Sequence, residues 1–493
     1  MSQSLRGRLN TPSAVLGFAV LLTALIVTTG CSGALGSHQS SRDPLGLGVV
    51  PGPLGSPNPQ TIELRIGSEP TERIVSLSLN LTSLKATNSG AQDLELLTAP
   101  ITVEFTRSAI VTEPVVVRDI YQDTYSALVL ADMTGQVTFY DNNGQLTSQA
   151  LSVSGQTIAL TPNLVLGTDP QVFNVSLDLA QSFTVNTNTV TVNSLVATTQ
   201  AVLPAPPVAP AVGQPETGSI NFLVGTVTAV DTNTKVISLQ PFSGDLLSVT
   251  YDNSTVFSNC DPVTMTGTMV EVQADTQTNA VVLASQVALI ENSASSSELY
   301  GTLTGLAPDQ INYNFVVDGG MGVNFAGGLV GQNITVDWLA TGYSVNSAHL
   351  DLSGSSDLVF DEVRVFPGQL VEMKWDTLIV PDPDAINAGF MSPRMIELEE
   401  QTVSGTVSSY NALTGTFGLN VPSDSVLKTM NPGLISIAVR QVPQTNLRNS
   451  PTFNDGDTVK VRGLIFVHPD YSYPMQHPGD PLVLVMVADR ISK

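Results

Sequence analysis

Charge is scarce in this chain. Only 13% of its 493 residues are Asp, Glu, Lys or Arg, and 19 basic residues face 43 acidic ones. The net charge of −24 repels duplex nucleic acid and anionic membrane surfaces, so no nucleic-acid partner is expected. Cysteine is nearly absent: Cys31 and Cys260 allow at most one disulfide, which excludes a disulfide-stapled scaffold. With four histidines and 6% aromatics, little material exists for a metal centre or a broad stacking face. The chain has no Gly-x-Ser-x-Gly elbow. Its longest early apolar stretch, Ala14 through Val27, falls short of the roughly 20 residues that span a bilayer.

What is present is a foldable chain. Hydrophobic residues make up 42%, and Ser, Thr, Asn and Gln supply the polar faces with neutral groups. The length predicts three or four domains.

Residues 1–30 have the layout of an export signal. Arg6 and Arg8 precede the apolar stretch, which ends in Thr28-Thr29-Gly30-Cys31-Ser32. Residues 31–59 are rich in Gly, Pro and Ser and predict a flexible tether. From 60 to 200 the period-2 signal is strong: Val75, Leu77, Leu79 and Leu81 alternate with Ser76, Ser78, Asn80 and Thr82. Asp141-Asn142-Asn143-Gly144 reads as a hairpin turn. No segment carries a helical face, so this region predicts an antiparallel β-sandwich. Residues 201–217, with Pro204, Pro206, Pro207 and Pro210, predict an extended linker.

Beyond the linker a pattern returns three times. Gly225-Thr226-Val227, Gly301-Thr302-Leu303 and Gly405-Thr406-Val407 each open a run of strand-like segments. A second Gly follows 42, 67 and 51 residues later, at Gly267, Gly368 and Gly456. Three small β-barrel modules are expected at 218–292, 299–401 and 402–493, the middle one with insertions, each closing on its own core. The three opening glycines should occupy equivalent crowded places. The fold class is thus all-β: a sandwich followed by three barrel-like modules in tandem.

Three resemblances rest on these residues. Thr29-Gly30-Cys31-Ser32 resembles the lipobox of bacterial lipoproteins. That implies cleavage after Gly30, lipid attachment at Cys31 and anchoring in the cell envelope, with the outer membrane expected. Ile74-Val75-Ser76-Leu77-Ser78-Leu79 and Asp123 through Leu130 resemble a prealbumin-like β-sandwich domain of such lipoproteins. The Gly-Thr-Val openings and later Gly-x-x-Val-x-Val steps resemble uncharacterised short OB-like β repeats. The two domain resemblances imply a fold and carry no catalytic residues.

Candidate chemistry is sparse. Ser425-Val426-Leu427-Lys428 fits Ser-x-x-Lys without its companion motifs and reads as a short helix or turn before Pro432. His468, Asp470 and His477 share one loop and offer transition-metal ligands. Asp382, Asp384 and Asn387 offer oxygens for Ca²⁺ but lack the EF-hand rhythm. Gly319-Gly320-Met321-Gly322 reads as a turn, and Cys260 as a buried small hydrophobe. No catalytic residue, cofactor or bound metal is expected. The expected role is non-enzymatic, structural or interactive, with the membrane as partner through the lipid and a protein or glycan partner in the envelope. A carbohydrate- or divalent-cation-binding module is the alternative, and a hydrolase stands third.

Overall fold

Alternating apolar and polar residues set the architecture from the first strand. The computed structural model describes residues 59–493 apart from 72, 108–111, 168–170, 203–217, 242–243, 278–279, 292–296, 307–311, 323–328, 338–341, 348–349, 376–386, 449–451 and 470–481. Cys31, Asp382, Asp384, Asp470 and His477 therefore lie outside the described residues. Among the described residues no helix is long and apolar enough to cross a membrane. The protein is all-β.

The first part is a sandwich built from three four-stranded sheets and one small hairpin. One sheet orders Ala197–Ala201, Gln171–Asp178, Pro59–Glu69 and Thr112–Tyr121; its Pro59–Glu69 and Gln171–Asp178 strands run parallel. The sheet that matters for the site orders Ile101–Glu104, Ile74–Leu81, Met133–Tyr140 and Leu146–Val153. The Asp141–Gly144 turn closes its last hairpin, with Gly144 at φ 73°. Leu77, Leu79, Val137 and Phe139 fill the core between the sheets.

Each of the three modules repeats one ring of strands. In the first, Ser219–Asp231, Val236–Pro241, Leu247–Thr250, Met269–Thr276 and Val282–Glu291 are strands 1 to 5. They pair in the cyclic order 1-2-3-5-4, with strands 3 and 5 parallel, which closes the barrel. The third is a closed barrel in the same order, from Gln401–Asn411, Thr416–Asn420, Leu434–Arg448, Thr458–Val467 and Leu482–Ser492. The middle module uses Ser297–Leu306, Tyr313–Gly322, Asn333–Val336 and Leu370–Trp375 as strands 1 to 4. Its fifth strand is broken at Ser392-Pro393-Arg394. Phe390–Met391 runs parallel to strand 3, and Met395–Leu398 runs antiparallel to strand 4. Proline lacks the N–H that a continuous ladder needs, which accounts for the break.

The glycines confirm the equivalence of the modules. Gly267, Gly368 and Gly456 have φ of 86°, 99° and 93°, a region that other residues rarely adopt. Each donates its N–H to the carbonyl of Val227, Leu303 or Val407 on strand 1, at 2.7, 2.6 and 2.9 Å. Gly225, Gly301 and Gly405 lie two residues before those partners. A Cβ there would strike the backbone carbonyl of strand 2, at 2.5 Å for Gln240 and 2.7 Å for Asn420, and nearer still at Val316. Crowding, not backbone strain, selects glycine at these three places.

Two expectations need correction. The middle and third modules do not have fully separate cores: Leu464, Phe466 and Val487 of the third barrel pack into the core of the middle one, while the first and third barrels each also enclose a cluster of their own. Strands 4 and 5 of the third barrel are buried on both faces, which is why they read as nearly continuous apolar runs. Gly319 to Gly322 form no turn. They continue strand 2 of the middle barrel, facing Tyr300, Leu299, Glu298 and Ser297.

The sandwich contacts all three barrels. Arg65 donates to Thr276 Oγ1 at 2.6 Å and to the Gly218 carbonyl at 3.2 Å in the first. Thr138 donates to the Gly331 carbonyl at 2.6 Å in the second. Lys460 of the third pairs with Glu69.

Candidate functional site

The ionisable groups that burial brings together lie where the modules meet. On the middle barrel, apolar residues Leu299, Val371, Met373, Ile396 and Leu398 point inward. The alternate residues Glu298, Tyr300, Glu372, Lys374, Glu397 and Glu399 therefore share the outer face of strands 1, 4 and 5. Register sets Glu372 opposite both Tyr300 and Glu397, and Lys374 opposite Glu298. This face is covered. Glu298, Glu372 and Glu399 are buried, and Asn346 bridges Glu399 at 3.1 Å to Glu271 of the first barrel at 3.0 Å.

Glu372, Glu397 and Glu399 bring carboxylate oxygens within 4.8 Å of one another. Lys374 supplies the positive charge among them, 2.8 Å from Glu397 and 3.7 Å from Glu372. Burial works against its ammonium, but the surrounding Glu372, Glu397 and Glu298 outweigh it and hold the lysine above its ordinary pKa. Burial pushes the Glu372 carboxyl up. It pushes Glu399 well up, aided by the charges of Glu271 and Glu372.

The seam continues into the sandwich. Arg107 lies 5.0 Å over the Tyr300 ring and pairs with Glu113 at 3.1 Å. Glu104 accepts from the Leu77 and Arg107 backbone N–H groups at 2.9 and 2.7 Å, and from Thr106 Oγ1 at 2.6 Å. Its carboxyl is nonetheless raised, because burial outweighs those bonds. Asp318, from strand 2 of the middle barrel, is raised well above its ordinary value by burial and then by the charge of Glu104. Arg107 and Asp318 stand in the walls of two cavities, of about 250 and about 120 Å³, between the sandwich and the barrels.

The residues singled out by sequence do not assemble here. His468 follows strand 4 of the third barrel, and its backbone N–H bonds the Val483 carbonyl at 3.0 Å. Asn387 is engaged in an amide cluster with Asn333, Asn314 and Thr335 at 2.7 to 2.8 Å. Ser425 caps the short helix Val426–Met430, accepting from the Lys428 N–H at 3.0 Å, and is no nucleophile poised by an amine. Cys260 is half-buried, with its thiol 3.3 Å from the Val287 carbonyl; burial raises its pKa.

The buried acids were missed because Ile396-Glu397-Leu398-Glu399 alternates like any strand with one wet face. The available signal was the density of acids on three strands that pair. Compared with known proteins, the chain matches no protein-family model and no curated protein.

Proposed function

We propose that this chain is a non-enzymatic, lipid-anchored protein of the bacterial cell envelope with a structural or interaction role. The observation that supports it best is how the ionisable groups are used. Glu104 is occupied with backbone N–H groups, Arg107 with Glu113, Lys374 with Glu397, and Asn346 with acids from two barrels. Between modules, Asn346 joins the middle barrel to the first, while Arg65, Thr138 and the Lys460–Glu69 pair join the sandwich to the first, middle and third barrels; modules joined in this way suit a scaffold. On this reading Cys31 carries the lipid, residues 31–59 form the tether, and the body is held at the cell envelope, with the outer membrane as the proposed site. Three acyl chains exceed the two signals that stable anchoring requires. The likeness to lipoprotein β-sandwich and OB-like repeat domains supports the same reading.

Substituting Cys31→Ser is expected to release the protein from the membrane fraction and to leave a precursor uncut at Gly30. Mass spectrometry finding an unacylated N-terminus cleaved elsewhere refutes the anchor. Chelation tests the structural role of the Glu372–Glu397–Glu399 group, where Lys374 already serves as counter-ion. EDTA should leave the melting temperature unchanged, and a fall that Ca²⁺ reverses would make that group a metal centre instead.

A further inference from the structure

We propose that the first barrel is latched to the middle one by a carboxyl proton, so that raising the pH parts these two barrels while the first keeps its fold. The latch is an amide between two acids. Asn346 Nδ2 donates to Glu271 of the first barrel at 3.0 Å and to Glu399 of the middle barrel at 3.1 Å. Both acids are buried, at 8% and 5% exposed. Two carboxylates that meet one amide nitrogen under cover repel each other, and a proton on either removes the repulsion. Lys374 does not answer it, because its ammonium sits 2.8 Å from Glu397 and 3.7 Å from Glu372.

The groups facing Glu399 come from each element around it, and most are acids. Glu397 lies on its own strand, Glu372 and Lys374 on strand 4, Glu298 and Tyr300 on strand 1, and Glu271 on the first barrel. Burial, with the charges of Glu271, Glu372 and Glu397, holds the Glu399 carboxyl well above the ordinary range. The proton therefore stays on in the closed seam and leaves once the seam opens to water. Closure is strongest below the ordinary carboxylate range near about 4 and weakens as pH rises through the raised value.

The packing around the latch lets it act alone. Among the described residues, a small cluster of Val224, Met269 and Ile290 against Tyr300 spans the same seam. The middle and third barrels are joined more deeply, through a shared core. The first barrel encloses its own cluster, which includes Val227, Leu239, Val270 and Ala284, so it can part without unfolding. Its bonds to the sandwich, through Arg65 and Asp245, involve none of these acids.

Thiol labelling of the full chain tests this. Val224→Cys, at a position 3% exposed in the seam, reports parting of the barrels. Ala284→Cys, at a position 1% exposed inside the first barrel, reports unfolding of that barrel. The labelling rate at each introduced cysteine is read by peptide mass and divided by the rate in urea at the same pH, which cancels the titration of the thiol. From pH 5 to pH 8, opening at Val224→Cys should rise at least about tenfold, since one proton allows up to about tenfold per pH unit. At pH 8 it should exceed opening at Ala284→Cys by at least about tenfold, as a local event must. Glu399→Gln should remove the rise with pH, and Glu271→Gln should lower the opening at pH 8. Continued protection of Ala284→Cys shows that each variant is folded. The proposal is overturned if opening at Val224→Cys does not change with pH, or if the two cysteines open equally, which would make the event unfolding. It is equally overturned if both glutamine variants open with pH as the unmodified acids do.

Discussion

Arg65 joins the sandwich to the first barrel, alongside Asp245, which accepts from Thr98 Oγ1 and the Val117 N–H, and replacing Arg65 with Met should cost about 4 kcal/mol. Arg65 is 1% exposed and pairs with Glu63, itself 4% exposed, at 2.6 Å. Removing the guanidinium leaves a buried carboxylate without its cation, a loss of about 3–5 kcal/mol. The bonds to Thr276 and Gly218 add less than their number suggests, because Thr276 Oγ1 also donates to the Gly218 carbonyl at 2.8 Å and keeps that partner. Replacing both members, Glu63→Leu with Arg65→Met, removes the stranded charge. The double variant should return to within about 1 kcal/mol of the parent, since apolar replacement of a buried pair is often neutral. Urea titrations followed by circular dichroism, arranged as a double-mutant cycle, should give a coupling above about 2 kcal/mol. If Arg65→Met costs under about 1 kcal/mol, or the double variant is as unstable as the single ones, the pair does not hold this contact and the reasoning fails.

Valine at Gly225, Gly301 or Gly405 should destabilise the protein by about 1–3 kcal/mol or more, the scale of overpacking. The damage at Gly301 should spread to the third barrel, which shares the middle core, as hydrogen exchange in Thr458–Val467 would reveal. Exchange confined to the middle module would contradict the shared core. Stability should also depend on pH in a definite sense. Glu104, Asp318, Glu372 and Glu399 have raised pKa values in the folded protein. Their contribution is complete below the ordinary carboxylate range near about 4 and is lost as pH rises through the raised values. The melting temperature should therefore fall from pH 5 to pH 8 at constant ionic strength, and Glu399→Gln should flatten that slope. A melting temperature that rises across this window would show the seam acids to be stabilised in their ionised form.

The strands and the threefold repeat were legible because both rest on local rules. Side-chain alternation marked Val75 through Leu81, and the paired glycines marked each barrel, since a bend and a crowded contact each require a missing side chain. What covers a polar face was not legible. Ser76 and Thr138 stand where alternation predicts water, yet both are fully buried. Thr138 donates to Gly331, 193 residues away. A hydroxyl can face solvent or a neighbouring carbonyl at similar cost, so its presence in a strand does not say which. The same ambiguity hid Glu372 and Glu399, because their burial is set by a barrel that folds from another part of the chain. A charged residue usually signals exposure, and here that prior misleads because the acids meet Lys374, Asn346 or backbone N–H groups under cover.

The long middle module shows how the repeats become one body. Its 67-residue spacing, against 42 and 51 in its neighbours, does not reflect a different fold. The ring order is the same, and a short extra strand, Gly342–Val345, runs parallel to strand 5, as Val256–Ser258 does in the first barrel and residues 446–448 do in the third. The added residues lie mostly between strands 3 and 4, and they reach outward. Asn346 bonds Glu271 of the first barrel, while Asp357 pairs with Arg440 of the third at 3.0 Å. Gln369, just before strand 4, donates to the Ile465 carbonyl of the third barrel at 3.1 Å. An insertion on the surface of a lone barrel costs little. Placed between two neighbouring barrels, it supplies side chains that bond to both. The middle repeat therefore departs most from the shared pattern because it has two neighbours to satisfy.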